Sequence, residues 1–172
     1  MSIRFDDFSF YHVDTIYLQY LNCIDSEVAF TQEKDYTKKP FLGILVIIDT
    51  YTYFIPLTSG KQKHTKWKNV GPAHYLIYEQ VKKEELRKRD IFKSISDTEA
   101  LKILSALDLK KMISVPDGLY TRINFSSLSD KKYVDLLEKE YRFCKRQQNG
   151  ILSKVKYSLQ GTTQGRYLTG GV

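Results

Sequence analysis

Apolar and polar residues alternate in short bursts along most of the chain and take up a helical period only near its two ends. Phe8-Ser-Phe-Tyr-His-Val13 alternates as a half-buried strand does. Asp14 can then cap a helix in which Ile16, Tyr17, Tyr20, Leu21 and Ile24 recur at three- and four-residue spacing, with a stop near Asp25. A polar loop from Ser26 to Lys38 leads to Pro40, which disfavours helix at Lys39 and pushes that residue towards an extended conformation. Leu42 to Ile48 and Thr52 to Leu57, rich in β-branched and aromatic residues, flank the short Asp49-Thr-Tyr51 and predict a hairpin. Ala73 to Gln80 predicts another strand, and Val81 to Asp90, dense in Lys, Glu and Arg, an exposed helix. Leu101 to Val115 fits either a helix or two strands about Asp108-Leu-Lys-Lys111. Ser129 or Asp130 opens the clearest helix, which runs to about Gln148 with Tyr133, Leu136, Leu137, Tyr141 and Cys144 on one face and ends at Gly150. A last helix spans Ile151 to Gln160, and residues 161–172 read as a loose tail. Hairpins followed by terminal helices predict an α+β fold, one antiparallel sheet with helices around it, in a single domain over residues 1–172.

Composition narrows the function classes. With 172 residues, 42% of them apolar, the chain can bury a core without metal or disulfide staples. The longest apolar run, Phe41 to Ile48, falls well short of the roughly twenty residues of a membrane span, and the first residues lack a signal peptide's apolar core. The expectation is a cytoplasmic protein with no membrane partner. Cys23 and Cys144 stand far apart outside any Cys-x-x-Cys pair and are expected to be reduced core residues, with no metal site. The net charge of +7 is uneven: residues 1–50 net −4, and all the excess follows. Two stretches carry cations that no acid interrupts. Thr50 to Tyr78 holds Lys61, Lys63, Lys66 and Lys68, and Tyr141 to Val172 holds Arg142, Lys145, Arg146, Lys154, Lys156 and Arg166. The first also contains His64, Trp67, His74, Tyr75 and Tyr78. Flat rings among cations suit unpaired bases, which stack for about 1–3 kcal/mol each, so single-stranded RNA is the partner this mixture fits best.

One local sequence is unusual: Ile55-Pro-Leu-Thr-Ser-Gly-Lys61 follows a strand, turns on Gly60 and opens the acid-free loop. Together with Tyr36-Thr-Lys-Lys-Pro-Phe-Leu-Gly43 and the hairpin it resembles the endoribonuclease toxins of type III toxin-antitoxin systems, the ToxN/AbiQ family. Phe10 to Tyr17 resembles the family's opening strand and helix, Ala106 to Val115 its strand pair, and Tyr133 to Phe143 its long helix. The resemblance implies a compact, strongly twisted antiparallel sheet with a MazF/Kid-like core, wrapped by helices of which two are C-terminal. It favours strands at 101–107 and 112–115 over a helix. It also implies a toxin that cuts RNA, is inhibited by a repeat RNA antitoxin that it processes, and acts in phage abortive infection. The matching site positions are Tyr17, Tyr36, Lys39, Thr58, Ser59 and Lys61.

Cleaving RNA without a metal requires the 2'-hydroxyl to lose its proton and attack its own phosphate while the 5'-oxygen leaves with a proton. Lys61, Thr58 and Ser59 are the candidates to stabilise charge on the phosphate, and Lys39 beside Lys61 would crowd an ammonium towards a useful pKa. Tyr17 and Tyr36 could orient the phosphate or stack a base. RNA contacts are expected from Lys63, His64, Lys66, Trp67 and Lys68, and from Arg142, Lys145, Arg146, Lys154 and Lys156. No cofactor is called for. His12, His64 and His74 offer a competing imidazole site. Carboxylates for a two-metal site look poor, with no Asp or Glu near the basic loop in sequence. A non-catalytic RNA-binding module would explain the cations and rings equally.

Overall fold

In the computed structural model, which describes residues 1–5, 8–28 and 42–160, ten strands form one antiparallel sheet. They are β1 (Ile3–Arg4), β2 (Tyr11–Val13), β3 (Gly43–Ile48), β4 (Tyr51–Ser59), β5 (Val70–Gly71), β6 (His74–Lys82), β7 (Phe92–Ser94), β8 (Glu99–Asp108), β9 (Ile113–Ser114) and β10 (Tyr120–Arg122). The main path runs β10-β2-β3-β4-β8-β6-β5, with β1 on β3, β9 on β4 and β7 on β8. Helix α1 (Thr15–Ile24) follows β2, while α2 (Lys131–Arg146) and α3 (Gln148–Gln160) are the last described elements. The Asp14 carboxylate caps α1 by accepting the Tyr17 N–H at 2.9 Å, and Asp130 caps α2 in the same way.

Strand β4 organises the sheet. It pairs with β3 from Ile48↔Tyr51 to Gly43↔Pro56, and the Asp49 turn between them takes a positive φ of 54°. Its other edge pairs first with β9 at Tyr53 and Phe54, then with β8 at Leu57 to Ser59. Pro56 falls where that edge changes partner, a place where a central strand can spare an N–H. Alternation along β4 feeds two cores. Tyr53 and Ile55 join the main core, where Leu137, Phe143, Cys144, Ile151 and Val155 of α2 and α3 cover the sheet. Phe54 points to the other face, into a smaller cluster with Val13, Leu18 and Val115.

Several elements differ from expectation. The helix expected at Val81 to Asp90 is absent: β6 continues to Lys82 and one 3-10 turn, Lys83–Glu85, follows. Cross-strand pairing of Tyr78 to Lys82 with Glu99 to Ile103 outweighs the helical propensity of the charged run. Residues 99–108 are strand, held by β6 on one edge and by β7 and β4 on the other. Gly150 lies inside α3 and does not end α2, which stops at Gln147, whose N–H donates to the Cys144 and Phe143 carbonyls. A Cβ on residue 150 would come within 2.7 Å of the Tyr75 hydroxyl, so a larger residue would displace the end of that ring. On α1 the buried residue is Leu18, whereas Ile16, Tyr20 and Ile24 are exposed at 77%, 61% and 68%, because the small Phe54 cluster receives only the Tyr17–Leu18 side of the helix. Cys144 is buried as expected, but Cys23 is exposed on that same helix α1. Among the described residues no helix is long and apolar enough to cross a membrane.

Candidate active site

The β4–β8 ladder runs Leu57↔Leu107, Thr58↔Ala106, Ser59↔Ser105 and stops there, because β8 bulges. On its far edge Ile77 pairs with Ser105 and Tyr78 with Ile103, so Leu104 has no cross-strand partner. The Leu104 carbonyl accepts the Gly60 N–H at 3.0 Å instead. A Cβ on residue 60 would lie 2.9 Å from the Ile103 carbonyl oxygen, so only glycine passes this close. The chain then enters a 3-10 turn, Gln62–Lys66, tied at its start by two bonds. The Lys61 N–H donates to His64 Nδ1 at 3.0 Å, and the His64 N–H donates to the Lys61 carbonyl at 2.9 Å. Since Nδ1 accepts, the neutral ring carries its proton on Nε2.

His64 is 1% exposed and serves as an internal brace for the loop. Burial, then the Lys63 and Lys61 cations and His74, hold its pKa below the usual imidazole value, with Asp108 opposing. Trp67 packs 4.5 Å from the His64 ring and 4.4 Å from His74, with the Lys63 ammonium 5.4 Å from its centre. His74 Nε2 donates to the Lys68 carbonyl at 2.8 Å, and the Lys93 ammonium donates to the Trp67 carbonyl and to Asn69 Oδ1. The rings expected to stack bases thus largely bind one another, and what the loop presents outward is Lys61, Lys63, Lys66 and Lys68, all exposed. His64 and His74 come together, but His12 on β2 is four strands from β6, about 19 Å of sheet, so the three histidines form no common site.

Ser59 and Gly60 edge a groove of about 620 Å³ that runs between β6, β8 and α2. Its cations, Arg87, Arg89, Lys102, Lys132 and Lys139, come from segments that sequence reasoning does not connect with the site. Acids are present too, contrary to expectation: Glu79, Glu85, Asp90 and Asp135 also line it. Lys102 pairs with Asp90 at 3.3 Å and Lys139 with Glu79 at 3.4 Å, which neutralises part of the wall. No cluster of three or more His, Cys, Asp or Glu disposed to hold a metal occurs among the described residues.

Thr58 is half-buried, its hydroxyl directed to the Ala106 carbonyl at 3.4 Å, and Ser59 and Lys61 are exposed beyond it. Tyr17 belongs to the Phe54 cluster, on the Thr58 face of β4 and about 13 Å of strand away, with its hydroxyl donating to the Ser114 carbonyl at 2.8 Å. Lys39 and Tyr36 lie outside the described residues. Of the second cationic stretch, Arg142, Lys145 and Arg146 are carried by α2, and Lys145 sits 5.6 Å over the Tyr141 ring, which lines a second groove of about 550 Å³. Lys154 and Lys156 lie on α3, with Lys154 4.6 Å over the exposed Tyr157 ring. The two stretches meet where α3 abuts the β5–β6 turn: Ser158 donates to the Pro72 carbonyl at 3.0 Å and Tyr75 to Gln147 Oε1 at 3.0 Å.

The family model of the toxin ToxN, from type III toxin-antitoxin systems, matches residues 9–164. The chain belongs to the ToxN family. An endoribonuclease ToxN of Bacillus thuringiensis subsp. kurstaki is 26% identical over 164 residues, covering 94% of this chain and 72% of the relative. Another, from Pectobacterium atrosepticum, is 25% identical over 161 residues, covering 91% and 84%. A solved type III toxin described with selective inhibition by a non-coding RNA pseudoknot superposes with a TM-score of 0.67 at 22% identity, covering 95% of this chain and 85% of that one. AbiQ, a lactococcal anti-phage endoribonuclease of the type III class, gives 0.63 at 19% identity, covering 95% and 89%. The sheet with its two C-terminal helices is therefore the ToxN-family fold. In this ToxN-family chain only Ser59, of the matched positions among the described residues, lines the groove, Thr58 turning to the opposite face of β4 and Lys61 following beyond Gly60.

Proposed function

We propose that the chain is an endoribonuclease toxin that cleaves RNA by transesterification, needs no divalent ion, and is held inactive by a repeat RNA. The observation that carries this is the segment Thr58 to Lys61, whose backbone is locked by the Leu104 carbonyl and the His64 ring while the exposed Ser59 lines the edge of a groove and the exposed Lys61 follows two residues on. Donors fixed before the substrate arrives stabilise a developing oxyanion without reorganisation, and removing one such donor costs about 10²–10³ in rate. In the reaction the 2'-oxygen loses its proton and bonds to phosphorus. The bond from phosphorus to the 5'-oxygen breaks and that oxygen takes up a proton, leaving a 2',3'-cyclic phosphate and a 5'-hydroxyl. Lys61 and Lys39 share the two cationic tasks, one exchanging protons and the other holding the phosphate, with Ser59 donating to a non-bridging oxygen and Thr58, turned to the other face of β4, holding the strand end through the Ala106 carbonyl. Tyr17 and Tyr36 orient the RNA.

Both curated relatives are endoribonucleases named ToxN, and the solved relatives include toxins held with or regulated by non-coding RNA and one with an anti-phage role. An antitoxin RNA lying along the joined cationic stretches and occupying the phosphate site would be both product and blocker, and the toxin would act in phage abortive infection. The test is to incubate the purified chain with end-labelled RNA in magnesium buffer and, in parallel, in EDTA. Cyclic phosphate ends that vanish in Lys61→Ala are expected. Binding without cutting would establish the non-catalytic module instead, and cutting abolished by EDTA would overturn the metal-free chemistry.

A further inference from the structure

Directly across the β4–β8 ladder from Ser59 lies Ser105, and cross-strand partners point to the same face with Cβ atoms about 5 Å apart. Ser105 is 1% exposed, yet its hydroxyl has no hydrogen-bond partner among the described residues. Its neighbours on the sheet are apolar: Ile77 is its other ladder partner, and Leu104 and Ala106 flank it. Buried hydroxyls in native cores are almost always bonded, and one left spare calls for a reason beyond packing, which alanine would satisfy as well. A second polar side chain intrudes on the same layer. Glu140 of α2, 3% exposed, lies at a core position between Leu137 and Cys144, and the Ser105 hydroxyl is the group that lowers its carboxyl's pKa against the larger effect of burial, although the two fall short of a well-formed hydrogen bond. The same helix sends Leu136 and Lys139 into the groove that Ser59 edges, so this polar pair lies just beneath the groove.

We propose that Ser105 is a positioning residue for Ser59: its buried hydroxyl turns to bond the Ser59 hydroxyl and aims it at the scissile phosphate when RNA fills the groove. This rests on the reading of Ser59 as a group that touches the phosphate. The bulge at Leu104 fits that task, since it ends the ladder immediately after the Ser59↔Ser105 pair and leaves the Ser59 hydroxyl open on one side.

The experiment is a double-mutant cycle on the purified protein with a defined RNA, reading single-turnover cleavage, RNA affinity and thermal midpoint. Ser105→Ala is expected to slow cleavage about tenfold, a step below direct loss of a phosphate donor. Affinity should stay within about twofold, and the midpoint, read at pH 5 where the Glu140 carboxyl keeps its proton and needs no support from Ser105, should not fall. Ser59→Ala is expected to slow cleavage about a hundredfold. The double variant should be no slower than Ser59→Ala. Losses that multiply, a wild-type rate in Ser105→Ala, or a Ser105→Ala protein that melts early or fails to fold would each overturn the inference while leaving Ser59 in place. A Ser59→Ala protein that cuts at the wild-type rate would instead remove the reading beneath it.

Discussion

Replacing Glu140 by glutamine should change how stability depends on pH in a way no surface carboxylate would. Burial pushes the Glu140 carboxyl up to about 7 from an ordinary 4.5, with only the neighbouring Ser105 hydroxyl pulling it back. An acid whose folded pKa is raised binds its proton more tightly folded than unfolded. Its contribution is therefore fully present below pH 4.5 and is lost as pH rises through 7. At about 1.4 kcal/mol per unit, the loss across that window is about 3 kcal/mol. Glutamine keeps the volume and cannot ionise, so Glu140→Gln should match the wild type near pH 4, lead it slightly at pH 5 and exceed it by about 3 kcal/mol at pH 8. Urea unfolding at pH 4, 5, 6, 7 and 8 at fixed salt measures this, provided the difference between the two proteins is plotted. His64, whose folded pKa is lowered, titrates with the opposite sign below pH 6.5, so neither group shows in a single curve. Parallel curves for the two proteins would refute the reasoning, because they would mean that Glu140 is hydrated or paired when ionised.

Three further outcomes follow from the site. His64→Asn, which keeps an acceptor near the position of Nδ1, should retain most RNA cleavage, whereas His64→Phe should lose at least tenfold together with about 1–3 kcal/mol of stability, both read by cleavage and urea melts. Gly60→Ala forces a methyl against the Ile103 carbonyl and should cost about 1–3 kcal/mol and displace Ser59 and Lys61, so that cleavage falls more than RNA affinity does. Lys154→Ala with Lys156→Ala should leave cleavage at saturating RNA unchanged and reduce the log-log salt slope of RNA affinity by about 0.7 for each phosphate no longer neutralised.

What the sequence makes legible is whatever depends on neighbours along the chain. The Asp14 and Asp130 caps, the Asp49 turn and the apolar face of α2 rest on spacings of one to four residues, and they stand where the pattern puts them. Gly60 marks the turn that ends β4, while the candidate role of Thr58 to Lys61 rests on the family resemblance and on no local spacing. What depends on partners distant in sequence is not. Val81 and Lys82 carry helix-friendly company and are strand because Ala100 and Glu99 lie across from them. A helix there hides the groove, since Arg87, Arg89 and Lys102 become its wall only once β6 and β8 are paired. His64 reads as an RNA ligand because a histidine among lysines suggests one, and nothing local reveals that its ring points inward to the Lys61 amide. The bulge at Leu104 leaves no trace in the pattern at all.

The division of labour around Gly60 also determines how variants must be interpreted. The groups assigned to the RNA, Ser59 and Lys61, are exposed, and the bonds that place them are backbone bonds to the Leu104 carbonyl and the His64 ring. Exposed side chains contribute little to stability, so their alanine variants should fold normally and lose chemistry alone. The placing groups are the reverse: Gly60 is wedged against Ile103, and His64 is buried, so their variants should lose placement and stability together. Ser105 is buried like the second class but spare like the first, and a loss of rate without a loss of fold at that position is the signature that separates orientation of a reacting group from support of the sheet.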